Sequence, residues 1–318
     1  MKKITERIDN VTHITKEQLN TTPPPPIAVK IELTANCDFN CWFCATRKDL
    51  RQKKRMDYRM YKRLVKEMVK YGVKELGLFY LGESMLYHKL PEAIEFAKEQ
   101  GIEYVFLTTN GFRADKEKLR KLFNAGLDSL KFSYNYPDRE TCKKATGVDA
   151  YHNIITNIRE AYKLRDKWDY DVGIFASTLE YSENAREEMK DALSQIDSYI
   201  DEHYWLPLYN QGGFVKDETQ NKDVAGNTGR ADSMVDGKCC WSLFTSAHIT
   251  YDGLMSACCF DHDGRFTMGD LRKQTFHECW HSKKFQQLRQ QHMDGVPEDT
   301  PCATCLHRGK NGSCNKTD

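Results

Sequence analysis

The stretch IAVKIELTANCDFNCWFC (27–44) decides how the rest of the chain is read. Its first eight residues are apolar and β-rich, and Pro23 to Pro26 before them favour an extended lead-in rather than a helix. Its last nine carry Cys37, Cys41 and Cys44 as C-x3-C-x2-C, on the loop that leaves a predicted strand. Three thiolates this close together form a metal-site pattern. Zinc closes its structural sites with four tetrahedral ligands, and no fourth Cys or His stands nearby in sequence, so a remote residue would have to complete the set. A [4Fe–4S] cube is the other occupant: clusters normally take four thiolates, so three would leave one iron open to a ligand from outside the protein.

Outward from that stretch a unit repeats: a short β-rich run, a loop, a helix-period segment. The predicted strands are 27–34, 73–80, 104–110, 129–135, 172–178 and 203–210. The predicted helices are 57–71, opened by Asp57 and stopped by Gly72, then 88–100, 115–125, 149–166 and 184–198. Such alternation implies parallel βα units, and six of them suit an open α/β structure, a partial (β/α)6 TIM-like barrel. Ligands of such sheets gather at the carboxyl ends of the strands, where the cysteine trio lies. Residues 1–26 form an N-terminal extension, 27–215 the barrel and 216–235 a polar, Gly-rich linker. The segment 236–318 reads as a small C-terminal domain organised around metal, made of one β-hairpin, turning at Asp252-Gly253, plus a helix near 274–292.

The 318 residues carry Lys+Arg 47 against Asp+Glu 46, so net charge argues against a general nucleic-acid binder. No apolar run is long enough for a membrane span, and the charged start MKKITERIDN lacks the apolar core of a secretory signal, so a cytoplasmic chain is expected. In a reducing compartment Cys 12 is no disulfide framework. Beyond the trio and Cys142, eight cysteines fall in the last quarter: Cys239, Cys240, Cys258, Cys259, Cys279, Cys302, Cys305 and Cys314. A hairpin and a C-x2-C loop could gather four of them around zinc or a second [4Fe–4S] cluster, and spacing does not choose.

The trio in its βα context resembles the radical SAM superfamily. Phe43 matches the aromatic position of that family's cluster loop. Tyr80-Leu-Gly-Glu-Ser resembles the Gly-Gly-Glu segment that binds the amino group of S-adenosylmethionine (SAM), with Leu81 in place of the first Gly, so that Gly82 and Glu83 carry the match. LTTNG (107–111), with Asn110, resembles the third strand's ending, and Ser133 the serine that ends strand four. ATGVDAY (145–151) resembles the Arg-Gly turn but has Thr146 for the Arg, leaving Lys143 or Lys144 as the substitute. The resemblance implies a [4Fe–4S] cluster on Cys37, Cys41 and Cys44, SAM on its open iron, and a 5′-deoxyadenosyl radical that abstracts a hydrogen atom from substrate.

The C-terminal pattern resembles the SPASM/twitch extension of the same enzymes: Gly253-x4-Cys258, the following CCFD, a Met268-Gly-Asp turn and Cys302-x2-Cys305. It implies a small C-terminal iron–sulfur domain with one auxiliary [4Fe–4S] cluster on Cys240, Cys258, Cys302 and Cys305. Cys314 is too distant for the full SPASM run, and Cys239 and Cys259 are expected to pack away, with Cys314, Cys259 or Cys239 as the alternative ligands. That cluster has no free iron, which suits an electron acceptor in a two-electron oxidation. The one-cluster layout resembles oxidoreductases acting on a sugar or aminocyclitol. The alternatives are a RiPP- or sulfatase-type peptide maturase and a redox-neutral epimerase, the last with Cys142, in the loop after strand four, as hydrogen donor. A metal-binding protein without catalysis is the reading from another class. Only 26 residues precede strand one, too few for a peptide-binding domain, so a small-molecule substrate is expected rather than a peptide. The cations of RKDLRQKKR (47–55) are either a solvated loop or a face for an acidic substrate or a flavodoxin- or ferredoxin-type electron donor.

Overall fold

The computed structural model describes residues 3–216, 224, 226–227, 239–295 and 302. Nine strands form one sheet: β1 (Ala28–Ile31), β2 (Glu75–Gly77), β3 (Tyr104–Thr109), β4 (Ser129–Ser133), β5 (Gly173–Glu180), β6 (Glu202–Pro207), β7 (Ser246–Ile249), β8 (Leu254–Ser256) and β9 (Thr267–Asp270). Their order is β6-β5-β4-β3-β2-β1-β7-β8-β9. The first six run parallel, each beside the next, as the partial barrel requires. At the far edge β7 adds to β1 in parallel, pairing Lys30 with His248, and β8 and β9 follow antiparallel. The sheet therefore runs unbroken from the barrel into the C-terminal hairpin, whose turn uses Gly253 at φ 83°.

The helices are α1 (Ile4–Thr12), α2 (Tyr58–Tyr71), α3 (Leu90–Glu99), α4 (Lys116–Asn124), α5 (Arg139–Thr146), α6 (Tyr151–Trp168), α7 (Ala185–Glu188), α8 (Lys190–Ser194), α9 (Phe276–Trp280) and α10 (Lys283–Asp294). Helix α2 ends where its caps dictate: the Asp57 carboxylate accepts from the Arg59 and Met60 amides, and Gly72 takes the left-handed conformation. Its Leu64, Val65 and Met68 are buried. Alternate residues of each strand point outward to the helices, as Val29, Ile31, Leu130 and Phe132 do, while Lys30, Lys131 and Ser133 line the inside.

Several expectations need correction. The N-terminal extension contains α1, whose Ile4 and Val11 are buried and whose Val11 carbonyl accepts from the Thr245 hydroxyl at 2.6 Å. It lies against the strand starts, with Arg7 paired to Glu75 at 2.6 Å and the Thr5 amide donating to Glu202 at 3.2 Å. The segment 184–198 is not one helix but α7, α8 and a 3-10 turn. The helical stretch near 274–292 breaks at His281, between α9 and α10. Met268-Gly269-Asp270 is no turn but part of β9, where a Cβ on Gly269 would collide with the Cys279 sulfur at 2.5 Å. Cys279 is thus a packing residue under that strand. Most of the linker and the segment with Cys305 and Cys314 lie outside the described residues. Among the described residues no helix is long and apolar enough to cross a membrane.

Candidate functional site

At the carboxyl ends of the strands lies a cavity of about 290 Å³. Its wall contains Cys37, Cys41 and Cys44 together with Phe43, Gly82, Glu83, Asn110 and Ser133, so the cysteine trio and these five residues singled out for SAM meet in one place. The segment after β2 is laced onto the cysteine loop. The Glu83 amide donates to the Asn36 carbonyl at 2.8 Å, and a Cβ on Gly82 would collide with the Thr34 carbonyl oxygen. Only glycine allows that approach.

Glu83 is buried, and its carboxylate accepts from the Thr109 hydroxyl at 2.9 Å, the Asn110 amide at 2.7 Å and the Met85 amide at 3.0 Å. Burial nevertheless pushes its pKa up to about 7, against the pull of those three donors. The Asn110 side chain donates to Asp38 at 2.9 Å, and Asp38 pairs with Arg113 at 3.0 Å, which fixes the ending of β3 against the cysteine loop. Burial also pushes the Cys41 thiol up to about 12, and burial with the charge of Glu83 pushes Cys37 higher still. Thiolates here need a strongly positive partner, which iron supplies.

Tyr136, which carried no signal in the sequence, holds two of these residues. Its hydroxyl lies 3.4 Å from the Cys41 sulfur and its ring stacks on Phe43, with centroids 6.5 Å apart. Cys142 is placed differently from expectation: it is buried in α5, not on a loop, and does not line the cavity. Burial raises its thiol to about 11, and a hydrogen donor must reach its substrate, so the position argues against that role. Thr146 is buried and bonds the Cys142 carbonyl at 2.8 Å, while Lys143 and Lys144 are exposed on α5 and take no part in the wall.

A second, smaller cavity is walled by Cys240, Cys258, Cys259 and Cys302 among apolar neighbours such as Leu243 and Phe266. Cys259, expected to pack away, faces this cavity with the others. Cys239 does turn aside, its buried thiol donating to the His292 carbonyl at 3.3 Å. Cys305, the remaining expected ligand, lies outside the described residues. Among the described residues no three Cys, His or carboxylate side chains converge tightly enough for a single ion. Thiols around an apolar cavity fit a [4Fe–4S] cluster, which takes thiolate ligands. Phe260 borders both cavities, and Tyr80, in the wall of the first, donates its hydroxyl to the Cys258 carbonyl at 2.5 Å.

In the basic stretch 47–55, Arg51 turns inward onto the buried Glu32 and Lys53 pairs with Asp49 at 2.5 Å. Arg47, Lys48, Lys54 and Arg55 remain exposed beside the cysteine loop.

Comparison with known proteins agrees with this geometry. Residues 31–188 match the family model of the radical SAM superfamily, and residues 239–306 match SPASM, an iron–sulfur cluster-binding domain. A probable GTP 3′,8-cyclase of Saccharolobus solfataricus is 33% identical over 158 residues, 50% of this chain and 48% of that protein. The chain thus spans about half the length of the curated relatives it matches. Among solved structures, BtrN in complex with AdoMet and 2-DOIA superposes with a TM-score of 0.58 at 17% identity, covering 90% of this chain and 94% of that one. Streptococcus suis SuiB bound to precursor peptide SuiA gives 0.66 at 14% identity, covering 88% and 70%. Native anSMEcpe with AdoMet and the Cp18Cys peptide gives 0.61 at 14%, covering 90% and 89%. At such identities the likeness is one of fold.

Proposed function

Because the chain belongs to the radical SAM superfamily and carries a SPASM iron–sulfur domain, we propose that it catalyses a two-electron oxidation of a small molecule such as a sugar or aminocyclitol. Cluster and SAM, when bound, supply a 5′-deoxyadenosyl radical able to take hydrogen from an unactivated carbon. Cys37, Cys41 and Cys44 would hold the cluster, with Tyr136 steadying Cys41. Gly82 lets this segment close onto the cysteine loop, and the Glu83 carboxylate would receive the SAM ammonium. Asn110 and Ser133 offer polar contacts in the same wall, and Phe39, Phe43 and Leu208 keep water from the reacting carbon. Cys240, Cys258, Cys302 and Cys305 would hold the auxiliary cluster, with Cys259 beside them.

The observation that carries the oxidative reading is the contact between the two cavities. Phe260 borders both cavities, and Tyr80, in the wall of the first, bonds the Cys258 carbonyl in the wall of the second. An electron from a substrate would thus have a short path to the auxiliary cluster through this shared wall. The curated relatives match over only about half of this chain and half of their own length, so their GTP is not carried over. The exposed cations beside the cysteine loop suit a flavodoxin- or ferredoxin-type donor with an acidic face.

The test uses anaerobically reconstituted protein with SAM, reductant and deuterated candidate substrates. Deuterium should appear in 5′-deoxyadenosine, and a product two electrons more oxidised should accumulate. Cys258→Ala should keep SAM cleavage yet lose that product. Oxidised product from the Cys258 variant at the parent rate would end the electron-acceptor role. Deuterium transfer from a peptide instead would move the chain to the maturases.

A further inference from the structure

Beneath the mouth cavity, between α1 and the inner faces of the strands, lies a second chamber of about 170 Å³. The two share Phe79, Thr108, Lys131, Leu206 and Tyr209 as walls. Elsewhere the chamber is largely apolar, with Ile4, Ile8, Val11 and Phe106. Strand register nevertheless turns three cations into it: Lys30 from β1, Lys131 from β4 and Arg7 from α1.

Arg7 is accounted for by Glu75, and it lies 3.6 Å from the Phe106 ring centroid. The two lysines are not. Lys131 Nζ donates to the Tyr204 hydroxyl at 3.1 Å, and Lys30 Nζ lies over the rings of Phe79 and Trp241 at 5.5 and 5.8 Å. Among the described residues neither ammonium pairs with a carboxylate. Burial lowers both to about 8, and Lys131 and Arg7 add their repulsion to Lys30. Cys259 is the neighbour that opposes this at Lys30, and Lys131 has none. His248, the register partner of Lys30, is buried and held neutral by burial and by Lys30 itself, so it adds no further positive charge. Lys131 faces no anion among the described residues and Lys30 only the Cys259 thiol, a costly arrangement for two cations in an apolar chamber unless something negative arrives.

We propose that the chamber seats an oxyanion of the substrate, a carboxylate or a phosphate held between Lys30 and Lys131. The carbon skeleton would then rise past Thr108, Leu206 and Tyr209 toward the cysteine trio. This rests on the reaction proposed for the mouth, and it narrows the substrate to molecules with an anionic group at one end.

Calorimetric titration of the reconstituted holoprotein with inorganic phosphate, and separately with acetate, tests it. At least one anion should bind saturably, and the tighter of the two identifies the group. Lys30→Met and Lys131→Met should each weaken that binding about tenfold or more, while Lys131→Arg should stay close to the parent. Iron content and melting temperature of the Met variants report whether they fold. For the parent alone, selenate soaked into crystals should give an anomalous peak between the two lysines. Absence of that peak, no saturable binding of either anion, or Met variants equal to the parent would overturn the proposal. The same preparation is assayed for 5′-deoxyadenosine from SAM. Lysine-dependent binding without that product would sink the proposed reaction and keep the chamber, and the reverse would sink the chamber alone.

Discussion

Glu83 shows what burial does to a single group. Its folded pKa near 7 stands above the ordinary value of 4.5, so between those values the folded chain holds a proton that the unfolded chain releases. Its contribution to stability therefore falls as pH rises through that window, and above about 7 the fold carries a buried charge that the SAM ammonium would offset. SAM affinity of the cluster-loaded protein should accordingly increase as pH is raised through about 7, as read by calorimetry. Glu83→Gln should flatten that dependence and weaken binding about tenfold. A parent affinity independent of pH would contradict the assignment. Glu83 was legible in the sequence because it stands beside Gly82 at the end of a predicted strand, a local pattern that survives Leu81 in place of the usual glycine, as was the cysteine trio. Tyr136, Phe260 and Lys131 were not, because what places them is strand register and the path of a distant segment, which no short motif records.

Elements were read well where their ends are marked and poorly where tertiary contacts make them. Asp57 and Gly72 announce α2, whereas α1 is held by Glu75, Glu202 and Thr245, all remote from it in sequence. Helix α5 was hidden in what resembles a loop, although Asp138 caps it and Gly147 ends it at φ 78°. Helix α10 depends on a buried cation. Arg289 donates to the carbonyls of Leu243 at 2.8 Å, Thr21 at 3.0 Å and Trp280 at 2.8 Å, and stacks 3.9 Å from the Phe285 centroid. Burial lowers its pKa to about 9. Arg289→Met would strand those three carbonyls, so the chain should lose about 3 kcal/mol or more and melt several degrees lower. A melting temperature equal to the parent would show that water replaces the guanidinium.

At the scale of the whole molecule, the parallel pairing of β7 with β1 ties the C-terminal hairpin to the strand that leads into the cysteine loop. Residues separated by more than 200 positions thus share one sheet, which is why the sequence, read from end to end, suggests two bodies. Calorimetry should record a single unfolding transition for the barrel and hairpin together, and two resolved transitions would mean that the pairing is weak. Chelating the iron should lower that transition as a whole, because both thiol-lined cavities abut the same sheet.

The N-terminal helix has a consequence of another kind. Ile4, Ile8 and Val11 form the floor of the lower chamber, so its depth is set by a nine-residue segment that contributes no strand to the barrel walls. A change in the bulk of those three side chains would lengthen or shorten the reach available to a guest without disturbing the chemistry above. With the substrate seated as proposed, its permitted length would be a property that can drift with α1 while the cysteine-lined mouth stays fixed.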